Sequence, residues 1–292
     1  MIIDLHSHST ASDGTLSPAE VVRLAASVGI DVLALTDHDS AAGWAEATHA
    51  AREVGVALVP GIEISTKHSG TGVHLLAYLP DPTSSPLDAE LTRILNGRAG
   101  RLDDMVQRLN DAGIDLTVEE VLTQVGPAPA IGRPHIADAL VGKGVVPDRK
   151  AAFERWLNWG RPAHVERYAP DTGAMIELVN AAGGAAVIAH PWGRDSRRVL
   201  DAATFSELTE TGLAGIEVDH QDHDSNDREA LRRIASELGL VVTGSSDFHG
   251  DGKFNHNLGC NCTDEHEFDR LLGRAAANAE RSGAAVPLVV GR

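Results

Sequence analysis

Seven short apolar stretches punctuate this chain, at 2–5, 32–36, 56–64, 72–78, 185–189, 213–218 and 240–244, and almost every one ends at or encloses a side chain able to hold a metal ion. Val32 to Thr36 is apolar on both alternating faces, as strands buried in a parallel sheet are. Segments with helical spacing lie between most of these runs, roughly at 17–28, 41–54, 171–182, 202–211, 226–238 and 264–281, with a last edge strand expected near 286–290. Ser17-Pro18-Ala19-Glu20 is a capping box with proline at the first helical position, and Gly29 closes that helix. Alternating strands and helices predict a parallel sheet with right-handed crossovers. Closed on itself, such a sheet is an α/β barrel whose site lies at the carboxyl ends of its strands. An open doubly wound sheet is the rival, but no Gly-x-Gly-x-x-Gly follows the first strand.

The rhythm breaks between 80 and 170. Positions 88 to about 112 predict one long amphipathic helix carrying Arg93, Arg98, Arg101 and Arg108, followed by short helices joined by Gly/Pro loops. The expected organisation is a barrel domain built from 1–79 and 171–292, with 80–170 inserted as a small helical subdomain over its mouth. Within the insertion, Gly132-Arg133-Pro134-His135 reads as a turn that starts a helix.

The ligand candidates share one position in the repeat. His6 and His8 follow the first strand, Asp37 and His38 the second; Glu63 ends the third and His74 lies on the fourth. His190 follows the fifth, and Asp247 and His249 follow the seventh. Residues i and i+2 of an extended chain point the same way, so His6 and His8 can grip one ion. Asp13 comes five residues later, where Gly14 permits a tight bend. With 14 histidines in 292 residues, chance is a poor account of this placement. Histidine and carboxylate without thiolate suit Mn²⁺, Zn²⁺ or Fe²⁺. So many ligands imply two to three ions. Two ions about 3.5–4 Å apart can clamp the entering and leaving oxygens of a phosphoryl displacement, and their bound water becomes a hydroxide nucleophile near neutral pH.

A net charge of −17 does not draw in nucleic acid, so any phosphate must be held locally. The two cysteines, Cys260 and Cys262, imply no disulfide framework. No leader or membrane span is expected, because Asp4 and His6 interrupt the first apolar run, and the cytoplasm is the expected compartment. No protein partner is evident.

His6-x-His8, Thr36-Asp37-His38-Asp39, Gly61-Ile62-Glu63, Ala189-His190-Pro191 and Ser246-Asp247-x-His249, in this order, resemble the polymerase-and-histidinol-phosphatase (PHP) superfamily. The Gly132-Arg133-Pro134-His135 turn narrows the resemblance to the bacterial branch acting on nucleoside 3′,5′-bisphosphates, whose relatives trim short RNA from its 5′ end. The resemblance implies a distorted (β/α)7 barrel with a three-metal centre, most simply Mn²⁺. It places His6, His8, Glu63 and Asp247 on a first metal, Glu63, His74 and His190 on a second, and Asp13, His38 and His249 on a third. Many members of the family carry histidine where this chain has Asp13, a harder ligand.

The expected activity is hydrolysis of the 3′-phosphate of a nucleoside 3′,5′-bisphosphate, such as adenosine 3′,5′-bisphosphate, by attack of a metal-bridging hydroxide. Glu63, His190 and Asp247 are the ligands expected closest to the chemistry, and Arg133, His135, Arg101 and Arg98 are the candidate phosphate contacts. Alternatives are a 5′-3′ exoribonuclease on short RNA, an amino-acid-pathway enzyme such as histidinol phosphatase, and a non-catalytic domain that stabilises a partner. The Arg-Pro-His turn argues against histidinol phosphatase, and the full ligand set against a non-catalytic domain. Glu217 and His220 are expected behind the ligands, Lys67 and His68 in a loop, and His49, His256 and His266 on the surface.

Overall fold

The computed structural model describes residues 1–126, 128–193, 196–284 and 289–291. Its strands are β1 (Ile3–Asp4), β2 (Val32–Leu35), β3 (Ala57–His68), β4 (Thr71–Tyr78), β5 (Ala185–Ile188), β6 (Gly215–Asp219) and β7 (Val241–Gly244). They form one seven-stranded sheet in sequence order, and a bridge between Ser7 and Phe248 brings its two edges together into a nearly closed barrel. Helices α1 (Pro18–Ser27), α2 (Trp44–Val54), α8 (Thr172–Ala181), α9 (Ala202–Glu210), α10 (Ser225–Leu238) and α11 (Glu265–Ser282) surround it. Ser17 and Glu20 make the expected capping box on α1.

Alternation along the strands sorts side chains into two layers. Ala34, Val59, Leu76, Tyr78, Val187 and Val241 belong to one cluster, together with Phe268 and Leu271 of α11. Their neighbours Ile62, Leu75, Ile188, Ile216 and Val218 pack outward against α8, α9 and α10. The Tyr78 hydroxyl donates to the Leu5 carbonyl at 2.9 Å, so this buried polar group of the inner layer is satisfied there.

The sheet is not wholly parallel, contrary to the simple alternation. β4 runs antiparallel to both β3 and β5. The cause is local: Ser69 and Gly70 both have positive φ (47° and 76°), the requirement of a two-residue type I′ hairpin turn. A tight hairpin leaves no room for a crossover helix, so β3 returns at once as β4. Lys67 and His68 accordingly lie on β3 rather than in a loop, and Lys67 pairs with Glu166 at 2.5 Å.

Between β4 and β5 lie α3 (Ser85–Gly100), α4 (Leu102–Asp111), α5 (Val118–Val125), α6 (Arg133–Gly142), α7 (Arg149–Ala152) and a π-turn at Phe153–Leu157. The single helix expected from 88 to 112 is two helices, broken at Arg101. Gly97 and Gly100 weaken the last turn of α3, and the two halves face different cores. Leu87, Leu91 and Ile94 of α3 pack on the barrel. From Leu102 onward the helices share a cluster of their own that includes Met105, Leu109, Val121, Ile136, Leu140 and Leu157. We call α4–α7 the cap. Trp156 packs against this cluster, whereas Trp159 is exposed.

The expected edge strand at 286–290 lies largely outside the described residues, although Val290 bridges Leu58. Among the described residues no helix is long and apolar enough to cross a membrane.

Candidate metal centre

The barrel brings the strand ends to one point. His6 and His8 face each other with Nε2 atoms 3.0 Å apart, and Glu63 Oε2 lies 3.3 and 3.1 Å from those two nitrogens. Asp247 Oδ1 is 3.5 Å from His6 Nε2 and 3.4 Å from His8 Nε2. The other Glu63 oxygen, Oε1, is 2.6 Å from His74 Nδ1 and 3.0 Å from His190 Nε2, and His38 Nδ1 is 3.1 Å from Oε2. Asp13 Oδ1 is 3.4 Å from His249 Nε2 and its Oδ2 is 3.7 Å from His38 Nε2. Three groups of donor atoms therefore converge within 4.8 Å: His6, His8, Glu63 and Asp247; His38, Glu63 and His74; and His8, Asp13, His38 and His249. Glu63 belongs to two of them, at the centre.

Positive charge is what this arrangement demands. Burial works to raise the carboxyls of Glu63, Asp247 and Asp13, yet the cations and imidazoles around each hold all three well below the usual carboxylate range. Burial works to lower His8, but hydrogen bonds to Asp247 and Glu63 outweigh it and push the imidazole up to about 9. Burial works to lower His6 as well, but the charges of Asp247, Glu63 and Glu217 outweigh it and raise the imidazole. Buried carboxylates need countercharge. Protons on His6 and His8 can supply it, and so can divalent ions.

The tautomers favour ions. Nδ1–H of His6 donates to Glu217 Oε1 at 3.1 Å and Nδ1–H of His249 donates to the Asp247 carbonyl at 2.9 Å, so each Nε2 faces the centre and would offer its lone pair to an ion that displaces any proton there. A histidine ligand oriented by an acceptor on its other nitrogen is the usual arrangement at a metal. The residues present thus fit a multinuclear centre of histidine and carboxylate ligands.

A fourth group, His220, Asp247 and His256, reads differently. His220 Nδ1 accepts the Asp222 amide at 3.1 Å, so its Nε2 carries the proton and donates to Asp247 Oδ2 at 3.2 Å. His220 orients Asp247 rather than binding an ion. His256 is buried, not on the surface as expected, because its Nδ1–H donates to the Ser246 carbonyl at 2.6 Å. Lys253, which the sequence did not single out, makes an ion pair with Asp247.

Asp37, a strand-end ligand candidate, lies outside the converging groups. It accepts from the Ser9 amide and hydroxyl at 2.8 and 2.7 Å and from the Ser12 hydroxyl at 2.6 Å, and so pins the loop that carries Asp13. Asp39, His190 and Asp247 all have positive φ (53°, 27° and 51°), a sparsely populated region for such residues. Strain of this kind collects at functional sites, where surrounding contacts over-determine it.

Glu217 is fully buried on β6. It accepts from His6 Nδ1, from the His190 amide at 2.7 Å and from the Ser245 hydroxyl. One carboxylate thereby orients two of the expected ligands, His6 and His190. Glu217→Gln puts an amide donor against donors, and we expect Mn²⁺ affinity to fall about 10- to 100-fold, with activity largely restored by excess metal. Activity against Mn²⁺ concentration is the measurement. An unchanged half-saturation point sinks this role.

The arginines divide. Arg98 is committed within the protein: Nε donates to Asp39 at 2.6 Å and Nη2 to Ser65 at 2.9 Å. His135 is committed too. Its Nδ1 accepts the Gly132 amide at 3.0 Å as part of a helix cap, and its Nε2–H donates to the Ser12 carbonyl at 3.0 Å. His135 would have to break its Nε2 bond to donate to phosphate, whereas Arg98 uses Nε and one Nη2 hydrogen in these bonds. Arg101 is buried, and burial, then the charges of Arg167, Arg98 and Arg133, push its guanidinium down to about 8. Arg167, which sequence reasoning missed, is pushed down to about 9 by burial and then by Arg98. Arginine keeps its proton at neutral pH, so these directions mark a cluster of cations that calls for an anion. Among the described residues neither Arg101 nor Arg167 makes an ion pair. Arg133 stands beside them, its guanidinium 5.5 Å from the Phe153 ring centroid and one nitrogen donating to the Leu157 carbonyl.

A PHP domain model matches residues 4–91 of the chain. A Chromobacterium violaceum protein named 3′,5′-nucleoside bisphosphate phosphatase is 35% identical over 257 residues, spanning 88% of this chain and 90% of the relative. A Haemophilus influenzae protein named 5′-3′ exoribonuclease is 37% identical over 246 residues, spanning 84% and 89%. The crystal structure of a Bifidobacterium adolescentis protein, described as a metal-dependent phosphoesterase, superposes with a TM-score of 0.90 at 37% identity, covering 93% of this chain and 96% of that one.

Proposed function

This chain belongs to the PHP domain family and is a metal-dependent phosphoesterase, and from that premise we propose that it removes the 3′-phosphate from nucleoside 3′,5′-bisphosphates, leaving the 5′-monophosphate. The observation that carries the reading is the pairing of a carboxylate–imidazole centre with a separate arginine cluster, joined through consecutive residues: His38 lies in the centre, and Asp39 holds Arg98. A bisphosphate is a ligand with two anionic ends, and the centre can accept only one of them.

Divalent ions in the centre, most simply Mn²⁺, would supply positive charge to the phosphoryl oxygens and lower the pKa of water enough to provide a hydroxide nucleophile near neutral pH. The assigned ligands are His6, His8 and Asp247 with Glu63; His74 and His190 with Glu63; and Asp13, His38 and His249. Glu63, His190 and Asp247 face the reacting phosphate. Arg101, Arg133 and Arg167 hold the distal 5′-phosphate and orient the nucleotide, which converts remote binding energy into rate. The small-substrate reading agrees with the net charge of −17, which repels a long polyanion. Free cysteines at 260 and 262 suit a reducing, cytoplasmic setting.

A screen of phosphate release across nucleotides, with Mn²⁺ present, tests the substrate class. A charge-assisted contact contributes about 1.5–3 kcal/mol, so Arg101→Met or Arg133→Ala is expected to lower kcat/KM for a 3′,5′-bisphosphate roughly 10- to 100-fold. A simple 3′-monophosphate never used the anchor and is expected to lose much less. Equal losses on both substrates place these arginines at the reacting phosphate instead. The second reading, 5′-3′ exonuclease action on short RNA, is favoured by the Haemophilus influenzae relative's name. End-labelled oligonucleotides shortened stepwise, faster than bisphosphate is hydrolysed, select it.

A further inference from the structure

Two donors from the cap reach down onto consecutive carbonyls of the loop that carries Asp13. His135, on α6, donates from Nε2 to the Ser12 carbonyl at 3.0 Å. Arg149, at the start of α7, donates from Nη1 to the Asp13 carbonyl at 3.2 Å. Arg149 is itself fixed by a fork: Nε and Nη2 each lie 2.6 Å from an oxygen of Asp138 on α6. A bidentate pair of this kind sets direction as well as distance.

The same guanidinium also meets the loop that carries His249. A Cβ placed on Gly252 would run into Arg149 Nη1, so a larger residue there would push the guanidinium aside. The two loops are tied to each other as well. The Thr15 amide donates to the His249 carbonyl at 3.2 Å, and the Asp251 amide donates to the Thr15 hydroxyl at 3.0 Å. Gly14 makes the turn feasible, since a Cβ there would lie 2.5 Å from the His8 carbonyl oxygen. Arg149 is therefore a strut from the cap, set where the Asp13 loop and the His249 loop meet. Neither it nor Asp138 touches the other two ligand groups through any hydrogen bond or ion pair among the described residues.

We infer that Arg149, braced by Asp138 and assisted by His135, is a positioning residue for the ion held by Asp13, His38 and His249, so that this ion's affinity depends on the cap being docked. The inference rests on the reading of those residues as metal ligands given above. The physical reason is entropy. Asp13 lies on a turn rather than a strand, and a carboxylate on a turn must be ordered before it can bind. The first two groups are built on strand ends of the barrel and do not need the cap. Binding at the third group and docking of the cap are then coupled, and the coupling runs in both directions.

The test uses the full chain stripped of metal and titrated with Mn²⁺ alone, the free ion being read by electron paramagnetic resonance. Hydrogen exchange of the backbone amides of Ser12 to Thr15 is followed in the metal-free protein. Arg149→Met is expected to weaken one Mn²⁺ site about tenfold or more and leave the others within about twofold, in line with lost support behind a ligand. Amides 12–15 are expected to exchange faster. Arg149→Lys, which keeps the charge but cannot form the fork, is expected to fall between; it carries the comparison alone should the Met variant not fold. Lys150→Met, the loss of a neighbouring exposed charge, is expected to titrate as the wild type does. Arg149→Met binding every ion as tightly as the wild type overturns the inference, and so does uniform weakening of all sites. Asp13→Ala separates the two claims. If it binds as many ions as the wild type with equal affinity, Asp13 is not a ligand and the metal reading falls, taking this inference with it. If Asp13→Ala loses a site that Arg149→Met keeps intact, the metal reading stands and the inference alone fails.

Discussion

Glu63→Gln is expected to leave the barrel folded and to lower turnover by about a thousandfold or more, even at saturating Mn²⁺. The side chain is buried, and its two oxygens face five imidazoles between them: His74 and His190 at Oε1, and His6, His8 and His38 at Oε2. An amide of the same shape keeps one acceptor and replaces the other with a donor. It also removes the negative charge that lets cations sit close together at this point. Metal-assisted charge neutralisation is worth several kcal/mol of transition-state stabilisation, and each 1.36 kcal/mol is about tenfold in rate. The fold is expected to survive because the Glu63 backbone keeps its own bonds, the amide donating to the Thr36 carbonyl and the carbonyl accepting from the Asp39 amide, each at 3.0 Å. Steady-state kinetics beside a thermal melt decides the matter. Near-normal turnover by a well-folded variant means that Glu63 does not join two ligand groups.

The second large effect is expected in metal content. His6→Ala combined with His8→Ala removes two of the four donors of the first group and one from the group around Asp13. Glu63 and Asp247 are then left without the imidazoles that share their positive partner. At least one ion per chain is expected to be lost on dialysis, with activity below about a thousandth of the wild type. Elemental analysis of the purified proteins is the measurement, and equal metal content in the two sinks the assignment. The double change also leaves Glu217 without the His6 Nδ1–H it accepts, so some loss of thermal stability is expected alongside. Excess Mn²⁺ is expected to rescue Glu217→Gln but not this variant, because orientation can be offset by mass action and missing donor atoms cannot.

Much of the centre was legible because the ligands are tied to strand ends. A period-two strand followed at once by His-x-His fixes which way both rings point once the strand is placed. The same holds for His38 beside Glu63, joined by a β-bridge. The hairpin at Ser69 and Gly70 was harder to see, since positive φ at both positions is a backbone choice that Ser-Gly permits without demanding. The break at Arg101 went unseen for a different reason. Apolar spacing continues through it, and only the exchange of one packing partner for another divides α3 from α4.

Side-chain roles decided by distant partners were the least legible. Arg98, Arg101, Arg133 and Arg167 are alike in sequence, yet Arg98 is tied to Asp39, while among the described residues Arg101 and Arg167 make no ion pair. His135 was expected at a phosphate, and the structure places its ring between the Gly132 amide and the Ser12 carbonyl. Asp37 looked like a ligand and is a pin on Ser9 and Ser12. The sequence by itself determined the alternation of strand and helix, and with it the rim on which histidines and carboxylates gather, because periodicity and strand direction are local properties of the chain. Only the tertiary structure decided which carboxylate is shared, which imidazole nitrogen keeps its proton, and which arginines remain available to an anion. Those outcomes depend on atoms tens or hundreds of residues apart meeting within about 3 Å, where the partner at hand, rather than the residue type, sets the role.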